Sequence, residues 1–230
     1  MIRHAVVLAA AAMLLAGCAI APEPVVETPQ PTPTPTEAGL PAPALGVVGS
    51  GTLNGVPFEV TWDGYSFQLV GLESVPEGIV LVSAEPGVVG ECPEADDLIF
   101  GLPFPVAIPL AEAKNTRDVT YLRSVSLVGE YTNDCYGFPV LSTAPIEWTM
   151  QPLYPDLVVS DSGDTGGARG IVTLDGETPI SYTVNQGDVL EEIAARFAIT
   201  PDQLVWLNPR RNTPDTVFKG EMLNLSPSRR

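Results

Sequence analysis

Hydrophobic positions follow three patterns along the chain. They form an unbroken run from Ala5 to Leu15, alternate with polar residues in short stretches between residues 47 and about 160, and recur at helical spacing from Leu190 onward. The alternating stretch predicts an all-β region. Asn54-Gly55 and Asp63-Gly64 offer the positive φ angles of type I′ turns, so Gly51–Leu53, Val56–Trp62 and Tyr65–Gly71 are expected to form a three-stranded meander. Further strands are expected at Ile79–Ala84, Leu122–Val128, Ile146–Met150 and Leu157–Ser160. Seven such pieces point to a sandwich or a partly open barrel. Pro103, Pro105 and Pro109 keep segment 101–110 out of any central strand and make it a loop or an edge. The run Asp161-Ser162-Gly163-Asp164-Thr165-Gly166-Gly167 reads as a flexible linker, which places the end of the all-β domain, 47–165, near its middle.

The helical pattern that follows is compact. A strand at Tyr182–Val184 turns at Gln186-Gly187, and Asp188 stands as an N-cap with Glu191 at capping-box spacing. Leu190, Ile193, Ala194 and Phe197 then share one helical face. A second helix begins at Thr200, with Pro201 in its first position, Gln203 at N3, and Ile199 and Leu204 at hydrophobic-staple spacing. Pro209 stops it at Asn208, because the residue before a proline avoids helical geometry. A loop to Gly220 leads to a closing strand at Glu221–Leu225. Residues 180–227 therefore read as a small α+β unit of order β-α-α-β, and the chain as a multi-domain protein.

At the other end, Arg3 and His4 precede the apolar run, and small residues precede Cys18. This is the layout of an export signal over residues 1–17. The run is too short for a membrane span, which takes about 20 apolar residues. Leu15-Ala16-Gly17-Cys18 resembles the lipobox of bacterial lipoproteins. That resemblance implies acylation of Cys18, cleavage just before it, and an extracytoplasmic protein lipid-anchored to the outer face of the cell membrane. Residues 18–46 then read as a disordered Pro/Thr-rich spacer with Pro29, Pro31, Pro33 and Pro35 alternating. In polyproline II geometry, at about 3.1 Å per residue, it would reach roughly 85 Å.

Charge and chemistry narrow the functions open to such a chain. Its formal net charge is −17, which repels nucleic acid and anionic lipid alike. Loss of residues 1–17 removes the single histidine, and with it the imidazole that thiol peptidases, zinc amidases and Ser/His/Asp hydrolases use. With Cys18 acylated, Cys92 and Cys135 remain as an even pair in an oxidising compartment and are expected to form a disulfide. Closing a loop of that length is worth about 4 kcal/mol in the chain-entropy treatment.

The C-terminal order, together with Tyr182-Thr183-Val184, Gly187-Asp188, Leu190, Ile193-Ala194, Phe197, Ile199-Thr200, Leu204, Leu207-Asn208, Gly220 and Leu223–Pro227, strongly resembles the LysM family. The resemblance implies binding of N-acetylglucosamine-containing glycans such as peptidoglycan, with no cofactor and no metal. The family's groove lies between two loops, here Gly187–Leu190 and Asn208–Val217. It nominates Gly187, Asp188, Val189, Leu190, Asn208, Pro209 and Val217 as glycan-contacting residues. Loop backbone groups beside a small apolar floor suit the amide and methyl of an acetamido group. Val189 departs from the family, which usually has threonine there, and the lost hydroxyl contact would cost about 1 kcal/mol. Arg210 and Arg211 could meet muramyl-peptide carboxylates but read first as solvated surface charge, and Trp206 reads as a semi-exposed packing residue.

Two other functions stay open. The all-β domain could be a carboxylate-dependent wall hydrolase, for which Glu91, Glu94, Asp96, Asp97 and Asp134 are the candidates. Seventeen acids and three bases between residues 47 and 164, however, put carboxylates near one another by composition alone. No Asp-x-Asp-x-Asp-Gly loop marks a calcium site. The β domain could equally recognise an unknown protein or another wall polymer while the C-terminal module localises it.

Overall fold

A computed structural model describes residues 43–75, 79–92, 98–101, 108–110, 118–133, 137–211, 213 and 215–230. The expected export signal, Cys18 and nearly all of the expected spacer lie outside these residues, as do Glu94, Asp96, Asp97, Asp134 and Cys135. Cys92 lies within them, while its expected partner Cys135 does not. Leu40–Arg230 forms one compact unit, so the β region and the C-terminal module are parts of a single body.

The β region runs β1 Gly46–Leu53, β2 Val56–Trp62, β3 Phe67–Val70, β4 Ile79–Ser83, β5 Leu98–Gly101, β6 Ile108–Pro109, β7 Ser124–Val128, β8 Val140–Pro145 and β9 Glu147–Trp148. These make two antiparallel sheets, ordered β6-β3-β2-β1-β9 and β5-β4-β7-β8. Alternation puts Phe58, Val60 and Trp62 of one sheet, and Val80, Val82, Val125 and Ala144 of the other, into one shared apolar core. The turn at Asn54-Gly55 has the expected geometry, with φ of 51° and 81°. The turn at Asp63-Gly64 is longer than two residues. The Asp63 carboxylate accepts the N–H groups of Tyr65 and Ser66, both at 2.7 Å, and delays β3 until Phe67. As Pro109 requires, β6 pairs only at the edge of its sheet.

Two strands escape a reading of the pattern. β8 alternates Val140, Ser142 and Ala144, whose small polar member hides the period, and β5 borders the proline-rich segment. The strand expected at Leu157–Ser160 does not form. Instead Val159 enters the C-terminal core and the Ser160 N–H donates to Phe197 O at 3.2 Å.

The C-terminal module comprises β10 Ile171–Asp175, β11 Thr178–Thr183, α1 Leu190–Arg196, α2 Pro201–Leu207 and β12 Met222–Asn224, followed by a 3₁₀ turn at Pro227–Arg229. Its sheet is ordered β10-β11-β12, so a hairpin strand precedes the expected β-α-α-β order. The glycine-rich run ahead of β10 is held in place and does not behave as a free linker. Arg196, 5% exposed, takes Asp161 in a two-pronged pair at 2.7 and 3.0 Å and Asp164 at 2.7 Å, and donates to Ala168 O at 2.9 Å. Gly170 is required by close approach, since a Cβ there would lie 2.1 Å from Thr183 O.

A carboxylate joins the two regions. Asp118, 2% exposed, accepts from the Thr120 N–H and hydroxyl through Oδ1. Through Oδ2 it accepts from Leu153 N–H at 2.8 Å, Trp206 Nε1 at 2.6 Å and Arg230 Nη1 at 3.0 Å. The Arg230 guanidinium lies 3.7 Å from the Trp206 ring centre, and Tyr154 meets that ring edge-on at 5.2 Å. Trp206 is thus a buried joint, not the semi-exposed packing residue that its sequence position indicates.

Burial works against ionising Asp118, but the Arg230 charge and the donated N–H and O–H groups outweigh it and hold the carboxyl below its ordinary 3.8. Its stabilising contribution is therefore complete above that value and is lost as pH falls through the lower, folded-state value. Asp118→Ala, which strands Arg230 and the Trp206 and Leu153 N–H groups, is expected to cost about 3–5 kcal/mol. Urea unfolding followed by tryptophan fluorescence at neutral pH reads this, and repeating it at falling pH should show the wild type approaching the variant.

Candidate functional site

The two loops nominated for glycan contact are both organised by hydrogen bonds internal to the chain. In the first, Gly187 has a φ of 87°, a conformation that favours glycine, and turns the chain out of β11. Asp188 follows, but it is not the helix cap expected from its spacing. Its Oδ2 accepts from the Tyr182 hydroxyl at 2.5 Å and Asn185 N–H at 2.7 Å, and its Oδ1 accepts from Arg169 N–H at 2.9 Å. The Tyr182 hydroxyl in turn accepts from Gly170 N–H at 2.7 Å. Burial disfavours the Asp188 charge, yet these donors prevail and lower its pKa below 3.8. The same burial, with Asp188 beside it, pushes the Tyr182 phenol upward. This network fastens β11 to the segment before β10.

The cap of α1 is Val189, which has extended backbone geometry and no side chain able to accept from the first turn. Its N–H donates to Gly167 O at 2.9 Å and is committed within the chain. A Cβ at Gly167 would meet Val189 Cγ2 at 3.0 Å and Glu192 Cγ at 2.8 Å, so the segment before β10 rests closely on this loop. Val189 keeps a side chain 45% exposed, whereas Leu190 is 4% exposed and belongs to the core with Ile193 and Phe197.

The second loop starts at Asn208, whose side chain is fully engaged. Its Nδ2 donates to Leu204 O at 2.9 Å and Asn224 O at 3.0 Å, and its Oδ1 accepts Asn224 N–H at 2.7 Å. Asn224 replies through Nδ2 to Leu207 O and Ser226 O. The pair clamps the end of α2 onto β12. Arg211 is likewise built in: it donates to Glu221 at 2.6 Å and to Thr216 O at 2.6 Å, while Glu221 accepts Phe218 N–H at 2.9 Å. The reading of Arg211 as merely solvated charge is replaced by an ion pair that shapes the loop. Val217 leans on the C-terminal core, and Pro209 borders a cavity beside it.

Of the seven nominated residues, then, Leu190, Asp188 and Asn208 are spoken for by core and hydrogen bonds. Exposed surface is offered by Val189 and the turn at Gly187 on one loop. On the other it comes from Pro209 and Val217, each partly exposed. The capping box of α2 has the predicted form, with Thr200 and Gln203 bonded reciprocally at 3.2 and 2.9 Å. Sequence spacing gave no sign of Tyr182 with Asp188 or of Asn208 with Asn224. Each pair joins positions whose proximity depends on the closed fold.

Because Val189 occupies the cap of α1, a threonine there would place a hydroxyl where the first turn needs an acceptor. Val189→Thr is expected to raise stability by about 1 kcal/mol. A higher urea midpoint at unchanged slope would show it, and an unchanged midpoint would refute a capping role for this position.

Residues 182–226 match the family model described as LysM domain. No curated protein and no solved structure matches the chain. The match runs from the last two residues of β11 through β12, takes in both loops, and identifies this C-terminal part of the chain as a LysM domain.

Proposed function

We propose that this protein is a non-catalytic lipoprotein of the cell envelope that binds N-acetylglucosamine-containing peptidoglycan through its LysM domain and ties membrane to wall. The match of residues 182–226 carries the glycan reading. Cys18 is the lipid attachment point in this reading, and Cys92 pairs with Cys135, the even pair that remains in an oxidising compartment. Weak glycan affinity is sufficient for such a tether, because a second anchor raises the effective concentration of the first. Val189, Pro209 and Val217 supply the accessible apolar surface for the acetamido methyl, and loop backbone supplies the polar contacts.

The chain is best tested whole, since the Asp118 joint links the β region to the LysM domain. Incubated with insoluble peptidoglycan, it should sediment, be displaced by N-acetylglucosamine oligomers, and release no soluble sugar. Released fragments would establish a hydrolase instead, and failure to sediment would remove the glycan reading. Separately, Cys18→Ala should move the protein from the membrane fraction to the soluble one. Continued membrane attachment would refute lipidation at Cys18.

A further inference from the structure

A cavity of about 290 Å³ lies where the end of β4 meets the LysM domain, next to the loop after α2. Arg210, Arg211, Arg229 and Arg230 all border it, four of the eleven basic residues in a chain of net charge −17. Exposed Met222 adds apolar surface, and exposed Glu85 contributes from the β region.

The guanidinium groups are not equivalent. Arg230 is fixed by Asp118 and by Trp206 O at 2.8 Å, and Arg211 by Glu221, so each of these charges already faces a carboxylate. Arg229 is 56% exposed, and its nearest recorded carboxylate among the described residues, Asp175, is 3.9 Å away. The fixed arginines supply a rigid basic wall, and Arg229 supplies charge that an incoming anion can engage. A polyanion would meet the field of the whole acidic chain. A small ligand with its own ammonium group escapes that repulsion and finds Glu85 in the same cavity.

We propose that this cavity is a subsite for a peptide attached to the bound glycan, its carboxylate held at Arg229 and its ammonium drawn to Glu85. The inference rests on the glycan reading above and adds to it the peptide portion of the ligand.

The full-length chain is titrated by calorimetry with a glycan tetrasaccharide bearing peptides that contain a diamino acid, and with the same tetrasaccharide stripped of peptide. The peptide-bearing ligand should bind about three- to fivefold tighter, the worth of one partly exposed charge pair. Arg229→Glu should erase that difference, Arg229→Lys should keep most of it, and Glu85→Lys should weaken only the peptide-bearing ligand. Thermal unfolding of each variant at the wild-type midpoint certifies its fold. If the stripped glycan binds and the peptide adds nothing, or if the preference survives Arg229→Glu, the subsite is refuted while the glycan reading stands. If a glycerol phosphate polymer competes as well as the peptide, the cavity reads bare anionic charge and the peptide assignment is refuted. If neither glycan binds, the glycan reading falls and the subsite with it.

Discussion

The carboxylate of Asp118 is the constraint on which the arrangement of this protein turns. A buried charge of this kind is costly unless every lone pair is met, and here five donors from four residues meet it. Those donors come from its own loop, from the chain leaving the β region, from α2 and from Arg230. Because each would be stranded by a shift of its neighbour, the carboxylate sets a single relative placement of β region and LysM domain. A purely apolar contact of similar size would tolerate sliding. A hydrogen-bonded charge does not.

The same device recurs on a smaller scale inside the LysM domain. Asp188 gathers Tyr182, Asn185 and Arg169, and Arg196 gathers Asp161, Asp164 and Ala168. Together they draw a glycine-rich segment and an added strand onto the compact β-α-α-β unit. The outcome is a domain whose loop at Gly187–Leu190 is backed by its own upstream chain. The polar side chains of Asp188 and Asn208 are spent on internal hydrogen bonds, which leaves Val189, Pro209 and Val217 among the side chains of the two loops that solvent reaches.

Legibility followed the range of the interactions. The capping box at Thr200 and Gln203, the Asn54-Gly55 turn and the apolar face of α1 depend on residues within a few positions of one another, and all could be read from spacing. The joint of Asp118 with Trp206 and Arg230 spans 88 and 112 positions, and no local pattern announces it. Asp188 shows how local rules can mislead: its spacing to Glu191 is that of a cap, but a tyrosine six residues back and a backbone N–H nineteen residues back compete for the carboxylate and win. Glycine-rich composition misled in the same way at Asp161–Gly167, where two aspartates answer to a buried arginine supplied by α1.

The added strand and the pinned segment before it leave the LysM domain without a swivel of its own. A lectin module on a loose hinge gives up orientational freedom when it docks on an insoluble lattice, and that loss is subtracted from its affinity. Here the orientation is already settled by folding, so the rotational entropy of the module against the β region is surrendered once, when the chain folds, and not again each time the surface is met.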